Sequence, residues 1–110
     1  MIDEIALAKM SDMLRVASDL TRLKILACLL GEEFFEGHVS RDQVPHVELS
    51  VNEIVEKTGA SQSLVSHQLK ILKDAELVAA RRDGRQIFYS LSDEHVNALI
   101  EVVFEHVSED

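Results

Sequence analysis

Ser50-Val51-Asn52-Glu53-Ile54-Val55-Glu56-Lys57-Thr58-Gly59-Ala60-Ser61-Gln62-Ser63-Leu64-Val65-Ser66-His67-Gln68-Leu69-Lys70 reads as two short helices joined by a tight turn. Ser50 and Glu53 form a capping box, in which the serine oxygen accepts from a backbone N–H while the glutamate reaches back to the N-cap. Val51, Ile54 and Val55 supply the inner face of the first helix. Gly59 ends it, because glycine adopts the left-handed backbone of a helix C-terminus without a Cβ clash. Ser61 caps a second helix that runs from Gln62 to about Ala75. Helices joined by a three- or four-residue turn containing glycine make a helix-turn-helix pattern.

On the C-terminal side, Asp83-Gly84 separates Leu77–Arg82 from Arg85–Leu91, a strong hairpin signal. Ser92 or Asp93 then caps a last helix. On the N-terminal side, Ile2, Ile5, Ala6, Met10, Met13 and Ala17 repeat at helical spacing. Ser18-Asp19 offers a cap for a helix from Leu20 to about Leu30, ended near Gly31. Residues 31–49, with Gly31, Gly37 and Pro45, read as a long loop. The expected order is α-α-α-α-β-β-α without internal repeats, mainly α with a small β-hairpin. That is a winged helix-turn-helix, built as a single DNA-binding and dimerisation domain over residues 1–110.

At about 100° per residue, the second helix of the motif sorts into two faces. Leu64, Val65, Leu69 and Leu72 gather on one side, with Gln68 among them. Ser63, Ser66, His67 and Lys70 gather opposite, with Gln62 and Lys73 at the border. Reading helices use their N-terminal residues on base edges, while cations hold phosphates. This pattern assigns Gln62, Ser63, Ser66, His67, Lys70, Lys73, Arg81, Arg82 and Arg85 to double-stranded DNA. The net charge of −9 opposes that on average, but it is segregated. Residues 57–85 hold six cations against three acids, a net of +3, which leaves −12 on the remainder. Residues 92–110 carry six acids and no lysine or arginine. A basic segment inside an acidic protein is a footprint for phosphate.

The acidic end contains Asp93-x-His95 and, eleven residues after His95, His106-x-x-Glu109. Eleven residues of helix make about three turns plus roughly 20°, so the two histidines share a side while lying about 16 Å apart. Zinc bonds are about 2 Å long. One helix therefore cannot close such a site, whereas two antiparallel copies can. The spacing predicts a homodimer with two symmetric inter-subunit sites. Two imidazoles and two carboxylates fit tetrahedral Zn(II); affinity order does not exclude Co(II), nickel or copper. Leu99 and Val102 lie between the ligands, giving this face an apolar strip for a partner helix. Val96, Ile100, Val103 and Val107 form a separate stripe for the chain's own core, and Glu94, Glu101 and Glu105 a solvated face. Cys28, the single cysteine, sits in the apolar run Leu26–Leu30 and reads as a core thiol. The acidic Met1-Ile2-Asp3-Glu4 lacks a signal-peptide pattern, and no apolar run approaches the ~18 residues of a membrane span, which predicts a cytoplasmic location.

Three stretches together resemble the ArsR/SmtB family of bacterial metal-sensing repressors: Ser18–Leu26, Ser61–Lys70 and the Asp-Gly wing. The terminal Asp-x-His…His-x-x-Glu pattern is similar to the site on the last helix of the family's zinc sensors. The resemblance implies a homodimeric repressor that binds its operator without metal and releases it with zinc. It also implies a relay from metal-bound His106 to a backbone carbonyl near Glu76. Other members carry Cys-Val-Cys where this chain reads Ser50-Val51-Asn52, so a thiolate site for arsenic, lead or cadmium is not expected. The 31–49 loop is longer than the family's usual connection, and Glu36, His38, Asp42 and His46 on it are candidates for a second metal site.

Two other readings use the same residues. A zinc hydrolase needs an open coordination position and a base, and no His-Glu-x-x-His motif is present. A metal-independent winged-helix repressor or interaction module is the alternative that operator binding with and without zinc separates.

Overall fold

The computed structural model describes residues 1–30 and 47–108. The candidate loop ligands Glu36, His38, Asp42 and His46, and also Glu109, lie outside the described residues. Helix α1 spans Glu4–Ala17 and is capped by Asp3, whose Oδ1 accepts from Ala6 N at 3.0 Å. Helix α2 spans Leu20–Cys28, with Asp19 Oδ2 accepting from Arg22 N at 3.1 Å. A two-residue strand β1, Leu49–Ser50, leads directly into α3, Val51–Thr58. The capping box is formed in both directions: Glu53 N donates to Ser50 Oγ, and Ser50 N donates to Glu53 Oε1 at 3.0 Å. Gly59 takes φ 75°, the left-handed value a C-cap requires. Ser61 caps α4, Gln62–Asp74, by accepting from Leu64 N at 3.2 Å.

Strands β2, Val78–Asp83, and β3, Gln86–Leu91, pair antiparallel with Asp83 opposite Gln86. The two-residue turn is thus Gly84-Arg85, one residue later than the Asp83-Gly84 turn expected, because Asp83 pairs with Gln86 and extends β2. Gly84 has φ 63° and Arg85 is not among the residues with positive φ, which is the type II′ arrangement whose twist suits a hairpin. Helix α5 spans Glu94–Ser108, with Asp93 Oδ1 accepting from Val96 N at 2.9 Å.

The sheet is three-stranded, in the order β1-β3-β2, because Leu49 pairs with Tyr89 and Ser50 with Phe88. β1 is an addition to the expected order. Two residues are too few to show a period-2 pattern, and only the pairing makes them a strand. The core gathers Ile25 and Leu26 from α2, Leu30 just beyond it, Ile54 from α3, and Val65, Leu69 and Leu72 from α4. Leu77, Val78 and Leu91 from the wing and Val96 and Ile100 from α5 complete it.

Three helix-face expectations change. Leu64 is 39% exposed. It lies about 100° around α4 from the middle of the Val65/Leu69/Leu72 stripe, at the limit of what the core covers. Val103 and Val107, assigned to the core stripe of α5, are exposed, because the second half of α5 runs past the body that buries Val96 and Ile100. Glu101, assigned to the solvated face, is fully buried, and its Oε1 accepts from Asn97 Nδ2 at 2.7 Å. The i, i+4 spacing brings that amide within reach, and a hydrogen-bonded carboxylate can be buried where a bare one cannot.

Candidate nucleic-acid interface and metal-ligating face

The turn closed by Gly59 and Ser61 sets α4 across α3, so its outer surface is free of the core. Gln62, Ser63, Ser66, His67, Lys70 and Lys73 are all exposed on that surface. Lys70 Nζ lies 3.7 Å from Asp74 Oδ2, with both side chains largely in solvent. Such a pair is weak and leaves the ammonium able to exchange partners. Helix α4 closes at Glu76, a non-glycine residue with φ 63°, where Leu77 N donates to Leu72 O at 2.9 Å and turns the chain into the wing. A left-handed backbone costs an ordinary residue about 1–2 kcal/mol, here borne at the junction of reading helix and wing.

The wing arginines are not equivalent. Successive side chains of a strand alternate between faces, so Arg81 and Arg82 leave β2 on opposite sides. Arg81 Nε donates to Glu48 Oε2 at 2.8 Å, and its guanidinium lies over the Phe88 ring, 5.2 Å from the centroid. The Glu48 carboxylate raises the Arg81 pKa above its ordinary value, first by the hydrogen bond and then by charge. Arg82 and Arg85 are exposed beside the Gly84 turn. The two wing roles separate experimentally. Arg82→Ala is expected to reduce the slope of log affinity against log salt by about one, as loss of one phosphate contact does. Arg81→Ala is expected to leave that slope unchanged. An equal reduction in the two variants would show that both arginines serve phosphates, and no reduction in Arg82→Ala would remove its phosphate role.

The ligands assigned on α5 occupy two ends of one helix face. Asp93 Oδ1 is engaged in capping, which leaves Oδ2 for a cation. His95 is 98% exposed, with Nδ1 4.0 Å from Asp93 Oδ1. His106 is exposed in the last turn, and Leu99 and Val102 lie between the histidines. Among the described residues of one chain, no three His, Cys, Asp or Glu side chains cluster closely enough to hold a metal. Asp93 and His95 border an open depression of about 520 Å³ that also touches Met13 of α1, Lys73 of α4, and Glu76 just beyond it. The depression therefore puts Asp93 and His95 next to the end of α4. The neighbours of His95 are not legible from local sequence, because they come from separate elements.

Cys28 is half-buried at the end of α2, and its Sγ donates to Ile25 O at 3.0 Å. Burial pushes the thiol up to about 11, against a smaller opposing effect of Lys57. The thiolate is the reactive form. Alkylation of the folded protein by iodoacetamide at pH 8 is expected to run roughly a hundredfold slower than in urea, where the thiol returns to about 8.5. Equal rates would contradict the burial of this thiol.

The geometry is that of a winged helix-turn-helix whose second helix exposes hydroxyl, amide, imidazole and ammonium groups. The chain belongs to the ArsR family of bacterial regulatory proteins, whose model matches residues 47–80. It is 33% identical over 101 residues to a transcriptional repressor SmtB homolog of Synechocystis, a match covering 92% of this chain and 65% of that protein. The structure is similar to HlyU of Vibrio cholerae, with a TM-score of 0.77 and 31% identity, covering 97% of this chain and 100% of that one. It is also similar to a homodimeric winged helix-turn-helix DNA-binding domain from Mycobacterium bovis, with a TM-score of 0.75 and 26% identity over 99% of this chain and 89% of that one. The first curated relatives are longer: the matched part spans 65%, 57% and 48% of their lengths. These relatives are transcriptional regulators rather than enzymes, and the hydrolase reading falls away. No described helix is long and apolar enough to cross a membrane.

Proposed function

We propose that this chain is a zinc-responsive transcriptional repressor, working as a single DNA-binding and dimerisation domain in the cytoplasm. The metal-free homodimer binds a two-fold operator, with Gln62, Ser63, Ser66 and His67 at base edges. Lys70, Lys73, Arg82 and Arg85 hold phosphates, and Arg81 braces the wing. The observation that carries the metal reading is the α5 face, where His95, Leu99, Val102 and His106 share one side. Exposed apolar residues on two helices support the dimer: Leu7, Met10 and Leu14 on α1, and Val102, Val103 and Val107 on α5. A two-fold pairing of α5 helices brings Asp93 and His95 of one chain to His106 and Glu109 of the other. Helix axes about 8–10 Å apart let those side chains converge.

Zn(II) bound by those four groups would join the two α5 helices at both ends. The chain's own residues then turn that restraint into a change in DNA affinity. Asp93 caps α5 directly after the wing, and the same depression holds Lys73 and Glu76. His106 has a second ring nitrogen, which can donate to a carbonyl near Glu76, as ligating histidines commonly do. A dimer held in one α5 geometry fixes the separation of the reading helices, and two successive major grooves accept only one separation, about 34–36 Å. Regulation requires that metal prefer the geometry that DNA does not, and reciprocity then makes operator weaken metal binding by the same factor.

The testing measurement is fluorescence anisotropy of an operator duplex titrated with metal-free protein, then with zinc and with a panel of Co(II), Ni(II) and Cd(II). Release by zinc at stoichiometric metal supports the reading. Tight operator binding unaffected by every metal would leave a metal-independent repressor.

A further inference from the structure

One guanidinium joins three helices. Arg22, in the first turn of α2, donates from Nε to Gln68 Oε1 in the middle of α4. Its Nη1 donates to Val16 O at 3.2 Å. That carbonyl lies in the last turn of α1, where helix geometry leaves four carbonyls without an intrahelical partner. Its backbone N–H is already held by the Asp19 cap at 3.1 Å. Arg22 is thus fixed at its root, and its planar fork reaches the end of α1 on one side and α4 on the other.

Gln68 is not one of the reading residues. It is half-buried on the flank of the Val65/Leu69/Leu72 stripe, away from Ser63, His67 and Lys70. The apolar stripe holds α4 against the body, but hydrophobic attraction is non-directional and leaves a helix free to roll. A roll of about 10° moves a side-chain tip some 6 Å from the axis by about 1 Å. Hydrogen bonds to base edges work over about 2.7–3.2 Å, so a displacement of that size breaks them. A directional bond on the flank of α4 is what removes the roll.

We propose that Arg22, acting through Gln68, is the positioning residue for DNA reading. It sets the roll of α4 against the end of α1, and so the aim of each reading helix in a dimer that α1 helps to build. The assignment rests on the DNA-reading role given to α4 above. Phosphate contacts come from flexible lysines and wing arginines, which tolerate a rolled helix. The predicted loss therefore falls on sequence discrimination and not on general attraction to DNA.

The test uses the metal-free chain, an operator duplex obtained by selection from random sequence, and a scrambled duplex of equal length, across a salt series. Gln68→Met keeps the side-chain length and removes the acceptor. Operator affinity is expected to fall about tenfold, the usual effect of losing a hydrogen bond to a charged group. Scrambled-duplex affinity and the salt slope are expected to stay within about twofold of the wild type. Gln68→Glu returns an acceptor; its charge repels both duplexes alike, so the operator-to-scrambled ratio is expected to recover. Arg22→Lys loses the fork and behaves as Gln68→Met, and combining the two is no worse than either alone. An unchanged ratio in Gln68→Met overturns the proposal. So does an equal loss on both duplexes that tracks a fall in Tm. A wild-type chain that prefers no selected duplex removes instead the DNA-reading role on which the proposal stands.

Discussion

His106→Ala is expected to bind operator as tightly as the wild type without metal and to keep that affinity when zinc is added. In the wild type, zinc is expected to weaken the operator complex by a factor within about 5–150, the usual range of coupling between two sites. In the variant the factor is expected to stay below about two. His106 is exposed in the last turn of α5, so truncation removes no core contact. Surface changes of that kind cost a fold within about 0.5 kcal/mol. The substitution does remove one of two nitrogens from each inter-subunit set. Three remaining donors, two of them carboxylates, cannot close a tetrahedral site of the same strength. Parallel anisotropy titrations of wild type and variant check this. Undiminished zinc release from His106→Ala would move the sensor away from α5.

The second large effect concerns α4. Ser66→Ala combined with His67→Ala is expected to lower operator affinity of the metal-free protein by about 10–100-fold, since a specific base contact carries roughly 1–3 kcal/mol. Both side chains are exposed on the outer face of α4, and contacts to base edges, unlike contacts to phosphates, displace no counterions. The slope of affinity against salt is therefore expected to match the wild type, in contrast to Arg82→Ala. Salt-series binding to operator and scrambled duplexes separates the two behaviours. Retained operator preference in the double variant would take base reading away from this end of α4.

Much of this architecture was legible residue by residue. Ser50 with Glu53, Gly59, Ser61 and Asp19 are local signals, and each produced the cap that its chemistry predicts, while the Asp83-Gly84 signal gave a hairpin whose turn sits one residue later. Such features depend on a side chain and the backbone within four residues of it, so a linear reading can find them. The face of α5 was legible for the same reason, because His95 and His106 share a side through helix periodicity alone. Strand β1 was not, since two residues carry no pattern and need Tyr89 and Phe88 as partners. The burial of Glu101 was missed because composition marks a glutamate as solvated, whatever packs over it.

The site divides along the same line. The sequence determined which groups stand together on a helix face: hydroxyl, amide, imidazole and ammonium on α4, and two imidazoles on one side of α5. It also determined that His95 and His106 cannot meet within one helix. Only the tertiary structure decided what holds those groups in place. Arg22 reaches Gln68 across 46 residues, Arg81 reaches Glu48 across 33, and Asp93 and His95 share a depression with Lys73 and Glu76. The reason is physical: caps and helix faces are set by short-range geometry, whereas contacts between distant residues form only when the shared core has fixed where each element lies.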